Sequence, residues 1–134
     1  MSIPTLTIIR GLPGAGKSTL ARRLCAVTLN SEHFEADMYF EDEIFNYVFD
    51  ASKLPKAHAW CLSLTEEALR DGKSVFVSNT FSTMKEIEPY AQFAKDFNCN
   101  FQVIECFGQW KSIHNVPDHT VQNMKNRWEY LNHE

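Results

Sequence analysis

The amino-acid sequence predicts an α/β fold in which a mostly parallel sheet of about four strands lies between layers of helices. Two observations support this prediction. Strand-like and helix-like patterns alternate along the 134 residues, which is typical of parallel strands connected by helices. A glycine-rich turn ending in Lys17 and Ser18 also follows the first strand directly, as in a phosphate-binding loop between a strand and a helix.

Residues 5–9 are a β-branched, apolar run that predicts a buried strand. After the glycine-rich turn, apolar residues recur at helical spacing and predict a helix over residues 17–29. Residues 33–36 form a weakly marked second strand that leads to Asp37. Residues 38–50 are aromatic and acidic without a clean period, so we expect a functional loop with at most a turn of helix.

The second half of the chain continues the alternation. Residues 53–70 predict a helix, with Pro55 near its start and Gly72 just past its end. Residues 74–80 predict a strand for the middle of the sheet. A capping-box pattern from Thr83 to Glu86 predicts a short turn, and Pro89 is expected to open the helix after it. Residues 100–107 predict the fourth strand.

The last predicted helix opens at Pro117, and its apolar spacing predicts a core-facing stripe made of Val121, Met124, Trp128 and Leu131. The whole chain, residues 1–134, is therefore expected to be a single domain, with 44% hydrophobic and 22% charged residues as in ordinary globular proteins.

The net charge of −4 argues against an extended nucleic-acid surface, although a small local one is compatible with it. No apolar run approaches the roughly 18 residues of a membrane helix, and residues 1–4 do not resemble a signal peptide. The four cysteines lack C-x-x-C spacing, which predicts buried, reduced thiols and a cytoplasmic location.

Residues 11–18 read G-x-x-x-x-G-K-S, the P-loop or Walker A pattern. Its glycines let successive backbone N–H groups point at phosphate oxygens. Lys17 adds a cation for the β- and γ-phosphates, and Ser18 offers a hydroxyl to Mg²⁺. The sequence therefore predicts an ATP and Mg²⁺ site whose nucleotide-binding residues are Gly11, Leu12, Pro13, Gly14, Ala15, Gly16, Lys17, Ser18 and Thr19.

Asp37 and Thr80 follow predicted strands, so both are expected at the carboxyl edge of the sheet, where ligands bind in such folds. A carboxylate at the position of Asp37 could accept a proton from an acceptor hydroxyl or bind Mg²⁺ through water. The structural alternative is that Asp37 caps a turn.

Several stretches together resemble the small ATP-binding P-loop proteins related to the kinase domain of phage 5′-hydroxyl polynucleotide kinases. The resemblance covers roughly residues 5–131 and rests on the P-loop and on residues 36–40, 57–60, 78–80 and 113–117. It implies that Asp37 is the base toward the acceptor hydroxyl.

Three departures affect the implied acceptor. Residues 78–81 lack the carboxylate of the relatives, so Asn79 and Thr80 can orient a Mg²⁺-bound water but add no charge. Phe40 stands where the polynucleotide kinases have an arginine that contacts a substrate phosphate. Residues 108–116 are too few for the full arginine-bearing lid.

Other side chains have a functional and a structural interpretation. Tyr39, Phe40, His58 and Thr80 are predicted near the acceptor, although His58 could equally bond a neighbouring loop, and Trp60 is expected in the core. Arg127, Lys125 and Lys111 could neutralise γ-phosphate charge, with Arg127 assigned to catalysis, or form surface salt bridges. We expect Arg22 and Arg23 to be solvated. Residues 41–43 are also expected to be solvated, or alternatively to form an acidic acceptor pocket. His114 and His119 show no metal-ligand spacing.

Two hypotheses from different classes follow. The first is a kinase that transfers the γ-phosphoryl group of Mg²⁺·ATP to a hydroxyl, either on a nucleic-acid 5′ end or on a small metabolite. The second is a nucleotide-dependent binding module or ATPase without phosphotransferase activity, favoured by the missing carboxylate at Ser78 and Asn79 and by the short lid.

Overall fold

The computed structural model describes residues 3–41, 48–108 and 117–131. In these ranges strands and helices alternate as β1 (Thr5–Arg10), α1 (Lys17–Ala26), β2 (Ser31–Phe34), α2 (Leu54–Arg70), β3 (Ser74–Asn79), α3 (Met84–Asp96), β4 (Asn100–Glu105) and α4 (Asp118–Arg127). Two short 3₁₀ helices, Ala36–Phe40 and Ala51–Lys53, lie between β2 and α2.

The strands form one sheet in the order β2-β3-β1-β4, and every neighbouring pair is parallel. In the register, Ile8 of β1 lies between Val77 of β3 and Val103 of β4, and Phe34 of β2 lies opposite Val77. The apolar strands β1 and β3 occupy the centre, as expected for parallel strands buried on both faces. The predicted α/β fold class is confirmed.

Helices cover both faces of the sheet. On one face, Leu6 and Ile8 pack with apolar residues of α2 and α3 such as Cys61 and Ile87. On the other face, Ile9 packs with Ala21 of α1. Because strand side chains alternate between faces, Arg10 and Asn79 point toward α2 and α3, whereas Ser78 points toward α1.

The strand β2 lies two residues earlier than predicted. It ends at Phe34 because the next available donor, the Ala36 backbone N–H, bonds to the side-chain oxygen of Asn79 at 2.8 Å instead of joining the ladder. α1 is also shorter than predicted and ends at Ala26. There the Thr28 hydroxyl donates to the Leu24 carbonyl at 2.6 Å, which occupies an acceptor that a longer helix would use.

The prediction that a helix would open at Pro89 is wrong. α3 is continuous from Met84, and Pro89 lies inside it. Thr83 and Glu86 do form the predicted capping box, so the helix nucleates there. Pro89 is on the exposed face, where a carbonyl that loses its helical donor can be hydrated.

The predicted core stripe is half-buried, but α4 ends at Arg127, so Val121 and Met124 lie in the helix whereas Trp128 and Leu131 follow it. Apart from the half-buried Thr120, the other residues of α4 are exposed. All four cysteines are free thiols, as expected, although Cys61 alone among them is fully buried. Within the described residues, no helix combines the length and the apolar character needed to cross a membrane.

Candidate functional site

The P-loop between β1 and α1 has the backbone of a phosphate cradle. Gly14 and Gly16 have φ values of 82° and 95°, in the left-handed region that glycine adopts without penalty. Gly16 is also the residue from which α1 begins, so the positive end of that helix faces the loop. A backbone bond from Ala15 to Leu12 at 3.0 Å closes the turn. This geometry suits the binding of a polyphosphate.

Gly11 is required for a different reason than the sequence suggested. Its φ is not positive, but a Cβ on it would lie 2.8 Å from the carbonyl oxygen of Cys106 and 3.0 Å from the Ala15 side chain. Its backbone N–H bonds to the Thr80 carbonyl at 3.3 Å, and Gly108 donates to the Ala15 carbonyl at 3.2 Å. The loop is therefore anchored to the chain segments that follow β3 and β4.

Lys17 lies over this loop, with its ammonium donating to the Leu12 carbonyl at 3.0 Å. Burial lowers the pKa of Lys17, and the negative charges of Glu35 and, to a smaller extent, Asp37 oppose that shift. Two carboxylates from the end of β2 thus act on the P-loop lysine.

Glu35 is the main residue that sequence reasoning missed. Its carboxylate oxygen Oε2 accepts the hydroxyl of Ser18 at 2.6 Å and the hydroxyl of Ser78 at 2.8 Å. The side chain of Glu35 is only 12% exposed. Glu35 falls inside the strand predicted over residues 33–36, where its side chain would alternate with its neighbours, whereas the observed β2 ends at Phe34 and leaves Glu35 at the edge of the sheet.

His33 of β2 completes this network. Its Nε2 lies 2.7 Å from the Ser78 hydroxyl oxygen and 3.7 Å from Glu35 Oε2. Because the single hydroxyl proton of Ser78 is donated to Glu35, the Nε2 of His33 must carry the proton that Ser78 accepts. Burial lowers the pKa of His33, which Glu35 opposes and Arg22 reinforces. These effects favour a neutral imidazole protonated on Nε2.

Asp37 lies in the first turn of the 3₁₀ helix that follows β2, half-buried and close enough to Lys17 for their charges to interact. This placement agrees with the prediction from the sequence that the P-loop and Asp37 lie at the same edge of the sheet. Its assignment as base or metal residue stays a prediction.

Phe40 is buried, at 6% exposure, in a cluster with Ala36 and Ala57. Its ring centroid is 5.1 Å from that of Phe49. The predicted contact between Phe40 and the acceptor is therefore not supported, since the ring is occupied by packing. Tyr39 is half-buried and its ring meets those of Phe40 at 5.5 Å and Trp60 at 5.8 Å.

Asn79 is also placed differently from the prediction. Its side-chain oxygen accepts the Ala36 N–H, and its amide nitrogen lies 3.8 Å from the sulfur of Cys61 on α2. Strand alternation explains this placement, because Ser78 faces α1 and the P-loop serine while Asn79 faces α2. The side chain of Asn79 thus fixes the chain after β2, and its predicted part in orienting a Mg²⁺-bound water stays a prediction.

Arg10, the last residue of β1, was not singled out from the sequence, yet its side chain is fully buried. Its guanidinium donates to the carbonyls of Phe81 at 2.7 and 2.9 Å, Ser82 at 3.3 Å and Glu129 at 2.7 Å. It also pairs with Glu105 at 3.2 Å and stacks 3.9 Å from the Trp128 ring centre. The signal was a charge at the end of an apolar strand.

Arg127 donates from Nε to the Ser82 hydroxyl at 3.0 Å, so it helps attach the end of α4 to the loop after β3. Its predicted catalytic role stays a prediction. Thr80 is half-buried beside Gly11, His58 is exposed on α2, and Lys125 is exposed on α4. Arg22 and Arg23 are exposed as expected. The described residues do not include positions 42 and 43 of the expected acidic loop. They also leave out residues 109–116 of the expected short lid, and with them Lys111 and His114.

The donors around Ser18 fit a magnesium ion. They are hard oxygen atoms, the Ser18 hydroxyl and the Glu35 carboxylate, with the Ser78 hydroxyl next to them. Mg²⁺ prefers oxygen ligands and binds proteins through one or two side chains plus substrate phosphates and water. In the part of the chain that the structure describes, no cluster of three or more His, Cys, Asp or Glu residues could hold a metal by itself.

Sequence comparison matches residues 6–130 to a family described as an AAA domain. A curated relative, human NEDD4-binding protein 2, is 28% identical over 92% of this chain. The chain spans only 8% of the length of that relative.

Solved structures of similar shape include several kinases and a repair complex. The Pnkp1/Rnl/Hen1 RNA repair complex matches with a TM-score of 0.71 and 14% identity, over 95% of this chain and 44% of the other. A Sinorhizobium meliloti gluconokinase matches with a TM-score of 0.61 and 16% identity, over 97% of this chain and 78% of the other. The Mycobacterium tuberculosis APS kinase in complex with AMPPNP and APS matches with a TM-score of 0.59 and 14% identity, over 92% of this chain and 69% of the other. At these identities the likeness shows a shared fold.

Proposed function

This chain belongs to the AAA domain family, and we propose that it is an ATP- and Mg²⁺-dependent phosphotransferase that phosphorylates a hydroxyl group. One observation carries the proposal: two carboxylates follow β2 beside the P-loop, Glu35, which accepts the Ser18 hydroxyl at 2.6 Å, and Asp37, in the first turn of the 3₁₀ helix. A P-loop alone indicates phosphate binding, whereas an acidic side chain beside it can accept the proton of an attacking hydroxyl.

The residues divide the work as follows. The amides of the P-loop and Lys17 bind the β- and γ-phosphates, and Ser18 holds the metal. When bound, Mg²⁺ neutralises negative charge on the phosphate oxygens. The acceptor oxygen forms a bond to the γ-phosphorus while the bond to the bridging oxygen breaks, and ADP leaves with that electron pair. Asp37 accepts the proton of the acceptor hydroxyl.

The kinases among the structures of similar shape support a phosphotransferase over a simple binding module. The narrower resemblance to 5′-hydroxyl polynucleotide kinases, together with the repair complex of similar shape, keeps a nucleic-acid 5′ end among the acceptors. A small hydroxylated metabolite is the other acceptor class, and the buried Phe40, in place of an arginine, favours it.

Replacing Asp37 by Asn tests the proposal because it keeps the shape of the side chain and removes its charge. The variant should lose about 10²-fold or more in turnover, the usual scale for a positioned acid–base group, while its ATP affinity stays level. The assay follows ADP and labelled product with Mg²⁺·ATP and a panel of 5′-hydroxyl oligonucleotides and small alcohols.

The matched control is Asp71→Asn at the exposed carboxyl end of α2, which should keep full activity. Equal turnover in wild type and Asp37→Asn would contradict the base assignment. Tight ATP binding by the wild type without transfer to any acceptor of the panel would favour the binding module.

A further inference from the structure

The end of β3 carries a serine where a carboxylate is expected. In P-loop nucleotide hydrolases and related proteins, the metal is held by the P-loop Ser or Thr and by an acidic residue from a neighbouring strand. Here β3 ends in Ser78 and Asn79, and the Asn79 side chain is engaged with Ala36 and Cys61 on the other face of the sheet. The acidic partner of Ser18 must therefore come from elsewhere if the site binds a metal.

The residue that follows β2 supplies such a carboxylate at the same level of the sheet. The last paired residues of β2 and β3 are Phe34 and Val77, so the next residues, Glu35 and Ser78, lie side by side. Glu35 Oε2 is 2.8 Å from the Ser78 hydroxyl and 2.6 Å from the Ser18 hydroxyl. The carboxylate thus lies beside the β3 position that lacks one.

His33 and Ser78 hold this carboxylate in place. The Nε2 of His33 contacts the Ser78 hydroxyl at 2.7 Å, and Ser78 in turn donates to Glu35. The side chains of His33 and Glu35 are only 7% and 12% exposed, so little water competes with these bonds. A fixed carboxylate next to a hydroxyl ligand is the arrangement that orients a metal ligand and its bound water.

We infer that Glu35 is the acidic magnesium residue of this protein, a carboxylate that follows β2 in place of one at the end of β3 and is positioned by Ser78 and His33. The inference rests on the proposed function, because it assigns a role within the same nucleotide site. It also separates two carboxylates that are two residues apart: Glu35 serves the metal beside Ser18, and Asp37 serves the acceptor.

The test measures ATP affinity by calorimetry in Mg²⁺ and in EDTA, so that metal-dependent binding is read without any turnover. In wild type, Mg²⁺ should strengthen binding. In Glu35→Gln this gain should fall by about 10- to 100-fold, the usual effect of losing a residue that orients a metal ligand. Affinity in EDTA should change little, because Lys17 and the P-loop amides remain.

Two further variants make the test specific. Glu32→Gln changes a half-exposed glutamate of the same strand, which pairs with Lys73 instead of the P-loop, and should behave as wild type. Glu35→Gln combined with Ser78→Asp returns a carboxylate to β3 and should restore the gain from Mg²⁺. If Glu35→Gln alone does not fold, this double variant decides the question.

The outcomes separate the two proposals. A full Mg²⁺ gain in folded Glu35→Gln, or no gain in the double variant, would overturn the role of Glu35 and leave the proposed function intact. A wild-type protein that binds no ATP in Mg²⁺ would contradict the proposed function itself.

Discussion

Among single residues, Lys17 has the most direct role in holding a triphosphate. Its ammonium bonds to the Leu12 carbonyl at 3.0 Å, and burial lowers its pKa against the opposing charges of Glu35 and Asp37. A phosphate group would add further negative charge at the same place and would favour the protonated form of Lys17.

Lys17→Ala should therefore abolish stabilisation by ATP. A ligand present at about 100 times its dissociation constant adds about 2.7 kcal/mol to the free energy of unfolding, and this gain should disappear. Thermal unfolding with and without Mg²⁺·ATP measures it. Lys73→Ala is the control, since Lys73 pairs with Glu32 at the amino end of β3. An unchanged shift in Lys17→Ala would contradict the P-loop assignment.

Gly11→Ala should weaken ATP binding through packing alone. The added Cβ would meet the Cys106 carbonyl at 2.8 Å, and a backbone atom cannot move aside cheaply. We expect a loss of about 1 to 3 kcal/mol in the free energy of unfolding, as for other overpacked sites, together with weaker ATP binding.

Gly72→Ala is the matched comparison for that prediction. Gly72 has a φ of 81° but nothing lies within 4 Å of the added Cβ, so the cost is the left-handed backbone alone, about 1 to 2 kcal/mol. Its ATP affinity, measured by the same calorimetry, should equal that of wild type. Equal ATP affinity in both variants would show that the close approach of Gly11 to Cys106, just after β4, does not shape the loop.

At the scale of elements, Arg10 joins the carboxyl end of β1 to three other segments. Its guanidinium binds carbonyls after β3 and after α4 and pairs with Glu105 at the end of β4. One of those carbonyls belongs to Phe81, whose φ of 48° is unusual for a bulky residue. The bonds from Arg10 offset this strained backbone and so fix the loop beside Gly11.

Arg10→Met should destabilise the protein by about 3 to 5 kcal/mol, the usual cost of breaking a buried ion pair by removing one partner. Three carbonyls and the nearly buried Glu105 would lose their donor together. Urea unfolding measures the change. Arg23→Met on the exposed face of α1 should change stability by less than about 0.5 kcal/mol. A similarly small change in the stability of Arg10→Met would show that the bonds of Arg10 do not hold these segments together.

The sequence predicts an element well when the residues that define its ends lie within that element. The strands β1 and β3, the P-loop and α2 depend on local pattern, so the sequence predicted them within a residue or two. The end of β2 depends on Asn79, far away in the chain, and the start of α3 depends on a cap that outweighs Pro89. Glu35 and Arg10 gain their roles only through partners on other strands, which local pattern does not contain.

At the scale of the whole molecule, the balance of acidic and basic residues affects which acceptor the protein can bind. The chain has 13 lysines and arginines against 17 acidic residues. In the described ranges several cations are already engaged: Arg10 with Glu105, Lys73 with Glu32, Arg70 with Glu66, and Arg127 with Ser82. Among the residues that the structure describes, this distribution does not suggest a basic track along which a nucleic-acid backbone could lie.

We therefore expect any nucleic-acid acceptor to be bound through its 5′ end alone. Proteins with 6 to 10 phosphate contacts lose about 10³- to 10⁵-fold in affinity between roughly 50 and 200 mM salt. Here the loss should stay below about 10-fold, and a long 5′-hydroxyl oligonucleotide should bind no better than a short one. Fluorescence anisotropy with both lengths at the two salt concentrations measures this, with the 5′-phosphorylated oligonucleotides as controls. Affinity that rises with length and falls steeply with salt would instead require a phosphate-binding surface beyond the P-loop edge.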